Sequence, residues 1–361
     1  MMNDKRVLII AEAGVNHNGS LELAKQLIDV AADARTDAVK FQTFRASALA
    51  TGAAKKADYQ KSTSGANESQ LSMLERLEID VDAHYQLVDH CRKRGIQFLS
   101  TPFDLDSIDL LVSKLDVPLL KISSGDITNA PLLYKSARTQ KPIILSTGMS
   151  TLGDVEAALG VLAHGYVGHD QSPCKSAFRA VFASDVGQQA LREKVTLLHC
   201  TTEYPAPFDA VNLRAMETLS VAFGLRAGFS DHTEGLVMPI AAVALGATVI
   251  EKHFTLDRTL PGPDHKASLE PDELREMVVS IRQVEQAIGS GGKFPAACEL
   301  SNMAVARKSL VAAGSINAGE LFSEDNLTVK RPGVGISPLY YWDMLGTPAK
   351  HRFSSDEIIK P

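Results

Sequence analysis

The 361-residue chain is 45% hydrophobic and 22% charged, with a formal net charge of −6. That length is too great for one small core and fits a large domain joined to a smaller one. The acidic balance argues against nucleic acid or an anionic membrane as partner, and four scattered cysteines (Cys91, Cys174, Cys200, Cys298) with no CxxC pair fit a reducing cytoplasm rather than a disulfide framework.

The first apolar run, VLIIAEAG (7–14), meets Glu12 too soon for a signal-peptide core or a membrane span, and reads as a strand. A helix-period segment follows over 20–34, with Ser20 as its N-cap. AVKFQTF (38–44) is the second strand. A Ser/Ala/Gly/Lys-rich connection over 46–72 precedes a helix at 82–95, capped by Asp82 and stopped by Gly95. QFLSTPF (97–103), LLKISSGD (119–126) and PIILSTGM (142–149) read as strands three to five. A helix runs from Thr151 to Gly165. An insertion over 166–194 carries a helix at SDVGQQALREK, capped by Ser184. VTLLHCT (195–201), AGFSDHT (227–233) and TVIEKHF (248–254) complete eight strands, with a helix over 234–246 between the last two and another over 271–290. No later run is long and apolar enough to cross a bilayer.

Eight strands alternating with helices predict an α/β fold, a (β/α)8 TIM barrel over 1–288. A doubly wound sheet is disfavoured because no GxGxxG follows the first strand. Residues 289–300 read as a turn-rich linker and 301–361 as a small β-rich domain. Alone, that domain would bury little core, so it is expected to dock on its own barrel or on a partner.

Barrel enzymes carry their chemistry at the carboxyl ends of the strands. Alternation along each strand points inward Glu12 on strand one, Lys40 and Gln42 on strand two, and Thr101 on strand three. Lys121, Ser123 and Ser124 follow from strand four, Ser146 and Thr147 from strand five, and His199, Thr202 and Tyr204 from strand six. Strand seven offers Ser230 and His232, strand eight Glu251 and His253. The same alternation turns Cys200 and Lys252 away. A lone lysine or histidine at a strand end is ordinarily a solvated or hydrogen-bonded residue. Two inward lysines with several hydroxyls, however, suit a phosphate, and two histidines on adjacent strands suit a divalent metal with open positions. The residues alone thus describe a metal-assisted barrel enzyme acting on a small phosphorylated, carboxylated substrate. A phosphorylated-aldose synthase, a simple aldolase, or a binding module on a dead barrel remain alternatives.

The motifs IAEAGVNHNG, AVKFQTF, STPFD, KISSGD, ILSTGM, HCTTEYPAP, GFSDHTEG, IEKHFTLDRTLPGPDH and NLTVKRPGVGISP together resemble the sialic acid synthase family, in its order and over nearly the whole chain. The tail resembles the antifreeze-like (SAF) domain of such enzymes. The resemblance implies condensation of phosphoenolpyruvate with an open-chain 2-acetamido hexose, a divalent metal (Mn2+, with Mg2+ or Co2+ as alternatives), and a domain-swapped cytoplasmic homodimer. It makes His232 and His253 the metal ligands. It places Lys40, Gln42, Thr101, Lys121, Ser124, Ser146, Ser230 and Glu251 around phosphoenolpyruvate. Glu12, Thr202, Tyr204 and Asp264 fall on the sugar side, with Arg331 reaching in from the partner. Glu12, Asp126 and Glu251 are the candidates for managing the proton of the attacking water. Thr202, Glu203 and the long 166–194 insertion depart from the neuraminate-forming branch. The expected acceptor is N-acetylmannosamine, with the 2,4-diacetamido-2,4,6-trideoxy precursor of legionaminic acid as the alternative.

Overall fold

A computed structural model of the chain describes residues 6–56, 69–168 and 171–361; residues 57–68 of the predicted 46–72 connection lie outside that range. The chain divides into two compact units, Met1–Gly289 and Ser290–Pro361.

The first unit is an eight-stranded parallel barrel: β1 (Leu8–Gly14), β2 (Ala38–Thr43), β3 (Gln97–Pro102), β4 (Leu120–Ile122), β5 (Ile143–Ser146), β6 (Val195–Cys200), β7 (Arg226–Asp231) and β8 (Val249–His253). The ladder runs β3-β2-β1-β8-β7-β6-β5-β4, and β3 lies beside β4 to complete the circle. The strands are apolar on both faces because both are covered. Ile9, Val39, Phe41 and Phe229 pack outward against the helices. Ile10, Ala38, Leu99, Ile144, Leu198 and Val249 fill the floor of the barrel. Each fully buried Ile or Leu stabilises the fold by about 1.5–3 kcal/mol. That apolar plug closes the lower end, so polar side chains nearer the strands' carboxyl ends face an open mouth. Gly228 leaves room for β8 beside β7: a Cβ there would stand 2.4 Å from the Val249 carbonyl oxygen.

Several boundaries differ from expectation for local reasons. Ser20, Thr151 and Ser184 cap their helices as predicted. The helix before β3, Val81–Arg94, is instead capped by Asp80, whose carboxylate accepts from Ala83 N, so it starts before Asp82. Gly165 does not end its helix, which continues to Val167. A Cβ at Gly165 would sit 2.6 Å from Ala137 Cβ, so this glycine serves close helix packing. The helix expected from residue 234 begins at Val237, because Gly235 takes φ +73°. β4 is only three residues long; Ser124–Asp126 is a 3-10 turn. The 166–194 insertion holds a further helix, Lys175–Phe182, and Gln70–Leu77 is helical where a loop was expected. No helix of the described residues is long and apolar enough to cross a membrane.

The second unit pairs β9 (Ser309–Ala312) antiparallel with β10 (Leu327–Lys330). Isolated bridges Val311–Ile358 and Ile316–Phe353 tie the last residues back. Its core is small: Leu310, Ala312, Ile316, Phe322, Leu327, Ala349, Phe353 and Ile359.

Candidate active site

Strand register assembles the site. Residues paired across parallel strands share a face, and the pairs Glu12–Lys40, Glu12–His253, Gln42–Thr101 and Ser230–Glu251 all lie at the barrel mouth. They line a cavity of about 360 Å3 together with Lys121, Ser124, Ser146, Thr202, Tyr204, His232 and Asp264. A larger cleft of about 540 Å3 lies outside the barrel against helices Leu152–Val167 and Lys175–Phe182. Its walls combine apolar residues such as Leu133, Val161, Phe178 and Phe182 with the charged Asp154, Glu156, Lys175 and Arg179.

A charged ladder crosses the cavity floor. Lys40 Nζ stands 2.6 Å from Glu12 Oε2 and 3.5 Å from Glu251 Oε2, and donates to Thr101 Oγ1 at 3.0 Å. Lys121 Nζ lies 3.1 Å from Glu251 Oε1, which also accepts from Ser230 Oγ at 2.7 Å. Two lysines therefore clamp Glu251. Burial pushes its carboxyl up, but Lys121 and Lys40 outweigh burial and hold it well below the usual carboxylate range. Glu12 has the opposite outcome: burial dominates the pull of Lys40, and its carboxyl rises from 4.5 to about 7. The two carboxyls thus differ in protonation at neutral pH. Among the described residues, Ser146 Oγ and Thr202 Oγ1 are buried without a hydrogen-bond partner, an arrangement that costs free energy unless a polar ligand meets them. Gly148 adjoins them. A Cβ there would stand 2.3 Å from Thr202 Oγ1 and 2.9 Å from both Ser124 Oγ and Cys200 Sγ, so only glycine leaves this corner open.

The opposite side is histidine-rich. His232 Nδ1 donates to the Thr201 carbonyl at 2.6 Å, leaving Nε2 with its lone pair. The His232 and His253 rings are 5.6 Å apart between centroids, and Tyr204 packs 4.1 Å from His232. Burial lowers His232 to about 4 and, with His232 and Lys40 nearby, holds His253 well below the ordinary imidazole value, so both are neutral at pH 7. Two neutral imidazoles side by side offer the nitrogen lone pairs that a divalent ion takes, and His253 Nδ1 is buried without a hydrogen-bond partner among the described residues. Among the described residues no group of three or more His, Cys, Asp or Glu side chains could hold a metal, so such an ion would complete its sphere from water and substrate. Asp264 Oδ2 lies 4.0 Å from His253 Nδ1, and burial raises its carboxyl to about 6.

Fourteen of the sixteen residues expected from the sequence line this one cavity. Asp126 does not: its carboxylate accepts from Ser123 Oγ at 2.7 Å and Asn129 Nδ2 at 3.1 Å, in the turn that follows β4. Arg331 belongs to the second unit, where its Nε donates to the Ala306 carbonyl at 2.9 Å. The inward phase of β6 is reversed. Cys200, paired with Ser230, faces the cavity, whereas His199, paired with Phe229, donates Nε2 to the Val211 carbonyl at 2.6 Å. The sequence reading also missed an apolar wall of Val15, Met73, Leu74, Leu77 and Phe103. Its signal was present: Ser69 caps the helix Gln70–Leu77, and Met73 and Leu77 recur at i, i+4.

Residues 27–293 match the NeuB family and residues 307–361 the SAF domain. The chain is 52% identical to the N,N'-diacetyllegionaminic acid synthase of Campylobacter jejuni over 356 residues, 99% of each chain. It is 44% identical to the enzyme of the same name from Legionella pneumophila, over 96% of this chain and 91% of that one. Among solved structures, the N-acetylneuraminic acid synthetase of Leptospira borgpetersenii superposes with a TM-score of 0.66 at 32% identity, covering 83% of this chain and 91% of that one.

Proposed function

The chain belongs to the NeuB family, and on that premise we propose that it is a legionaminic acid synthase. It would condense phosphoenolpyruvate with open-chain 2,4-diacetamido-2,4,6-trideoxymannose to give N,N'-diacetyllegionaminic acid and phosphate. The observation that carries the acceptor is the 52% identity to the Campylobacter jejuni enzyme across 99% of both chains. It favours this acceptor over N-acetylmannosamine, the one expected first from the sequence. The apolar wall of Met73, Leu74, Leu77 and Phe103 supports the same choice, because a 6-deoxy sugar with two acetamido groups brings more methyl surface to bury.

Lys40 and Lys121 supply charge for the phosphate and carboxylate of phosphoenolpyruvate, and the hydroxyls of Ser124 and Ser146 supply donors, joined by Thr202, which was expected on the sugar side but shares the Gly148 corner with Ser124. Gln42, Thr101 and Ser230 complete that side. Glu251, held ionised, keeps both lysines oriented. Tyr204 and Asp264 border the acceptor. The methylene carbon of phosphoenolpyruvate forms the new bond to the aldehyde carbon, leaving a cationic C2, to which water adds. One proton of that water passes through Glu12 to the new alkoxide oxygen, and the other leaves with phosphate as the C2–O bond breaks and the C2 ketone forms. Glu12 fits the role of accepting the proton from that water: it lies in the cavity with its carboxyl near 7, while Glu251 is too weak a base and Asp126 is outside. Bound at His232 and His253, a divalent ion (manganese, or magnesium or cobalt) would polarise the aldehyde as a Lewis acid. Holding both reactants side by side supplies much of the remaining acceleration. In a homodimer, Arg331 of the partner subunit would complete the acceptor side.

The purified protein with phosphoenolpyruvate, Mn2+ and this acceptor should release phosphate in step with product, and chelation followed by Mn2+ should abolish and restore turnover. Absence of phosphate release with any 2-acetamido hexose would end the proposal.

A further inference from the structure

Lys252 is the one charge of the VIEKHF run with no place in the cavity. Its side chain and that of Asp231 are both 0% exposed, and Lys252 Nζ stands 2.6 Å from Asp231 Oδ2 on the outer face of β7 and β8. Lys252 Nζ also donates to the Thr233 carbonyl. Asp231 in turn accepts from Thr233 N at 2.9 Å and Thr233 Oγ1 at 3.2 Å. The pair therefore grips the residues on both sides of His232.

Stability alone does not account for it. Burying two charges costs several kcal/mol per ion, and apolar replacements of similar volume are often as stable. Its position is more informative. The β7–β8 ladder ends at Asp231–Lys252, so His232 lies one residue beyond the last rung. His253 is still paired with Glu12 on β1, and its carbonyl accepts from Leu269 N at 2.9 Å. His232 is held beyond the ladder by Ala206 N on its carbonyl, at 2.9 Å, and by the Thr201 carbonyl on its ring. Lys252, immediately before His253, is the side chain that ties this overhanging segment to β8.

We propose that the Asp231–Lys252 pair is a positioning device that sets the His232 imidazole against His253, resting on the reading of those two histidines as a functional pair. Outer partners that orient metal-binding groups typically alter affinity about 10- to 100-fold when removed.

The test uses the full chain with Asp231→Asn and Lys252→Met together, which removes both charges and retains an acceptor for Thr233 N. Long-range proton–nitrogen correlations of metal-free, 15N-histidine-labelled protein report the His232 tautomer, and water-proton relaxation reports Mn2+ affinity. Wild type should show a single Nδ1–H tautomer at His232. The variant should show mixed tautomers, a thermal midpoint within a few degrees of wild type, and Mn2+ affinity weaker by about 10- to 100-fold. Unchanged ring-nitrogen shifts with unchanged Mn2+ affinity overturn the proposal. Should the double variant not fold, Asp231→Glu keeps both charges but displaces the pair; unshifted His232 nitrogens there overturn it equally. If wild type binds no Mn2+, the metal reading fails, while the nitrogen shifts still judge the positioning role.

Discussion

Replacing Glu12 by glutamine tests the assignment of the proton acceptor. The amide keeps the shape of the carboxyl but has no site for the proton. Lys40 keeps an amide oxygen as acceptor in place of its 2.6 Å carboxylate partner and retains the charge of Glu251 at 3.5 Å, so the phosphoenolpyruvate side should change little. General-base catalysis contributes about 10²- to 10⁴-fold, or roughly 3 to 5 kcal/mol of barrier at 1.36 kcal/mol per decade. A loss of that size in kcat is expected, with the KM for phosphoenolpyruvate within a few-fold of wild type. The pH dependence gives a second handle. Burial places the Glu12 carboxyl near 7, above its ordinary 4.5. The ionised form is the active one, so activity is lost as pH falls through about 7. One unit lower, only about a tenth of the enzyme is ionised, and kcat/KM at pH 6 should be roughly one tenth of its alkaline plateau. Phosphate release measured from pH 5.5 to 8.5 provides both readings, and the ratio of the wild-type and variant profiles cancels titration of the substrates. A Glu12→Gln enzyme within threefold of wild-type kcat, or one sharing the wild-type acid limb, would refute the reasoning.

Gly148→Ala should raise the KM for phosphoenolpyruvate by about tenfold or more with a smaller effect on kcat, since the added Cβ meets Thr202 Oγ1 at 2.3 Å; an unchanged KM would show that this corner is not where the phosphate sits. Asp126→Asn should alter kcat by less than about threefold, because its carboxylate serves Ser123 and Asn129; a hundredfold loss would return Asp126 to the chemistry. Arg331→Ala should raise the KM for the acceptor by about tenfold or more, the worth of a charged hydrogen bond, with the oligomeric state checked by light scattering; unchanged acceptor kinetics would remove Arg331 from the site.

The barrel was legible because eight short apolar runs each end in polar residues, and period-two alternation then assigns an inward face. That logic brought Lys40, Lys121, Glu251 and His253 to one cavity from strands that are distant in sequence. It failed on β6, where His199 and Cys200 are both acceptable inward residues and only the ladder to β7 decides between them. It failed at Asp126, because KISSGD reads as a continuing strand while the backbone turns after Ile122. The separation of Glu12 from Glu251 was not legible at all. Both are buried carboxyls, and their different protonation depends on Glu251 facing two lysines while burial prevails at Glu12. Lys252 was correctly turned outward, but its buried partner Asp231 was not foreseen, since alternation gives a face and not a contact.

A direct competition between the two sugars tests the identity of the acceptor. Equimolar N-acetylmannosamine and 2,4-diacetamido-2,4,6-trideoxymannose are offered with limiting phosphoenolpyruvate and Mn2+, and the two products are separated by mass. N,N'-Diacetyllegionaminic acid should exceed N-acetylneuraminate by about 100-fold, within reach of a site shaped to the deoxy, doubly acetamidated sugar. N-acetylneuraminate in equal or greater amount would contradict this assignment of the acceptor.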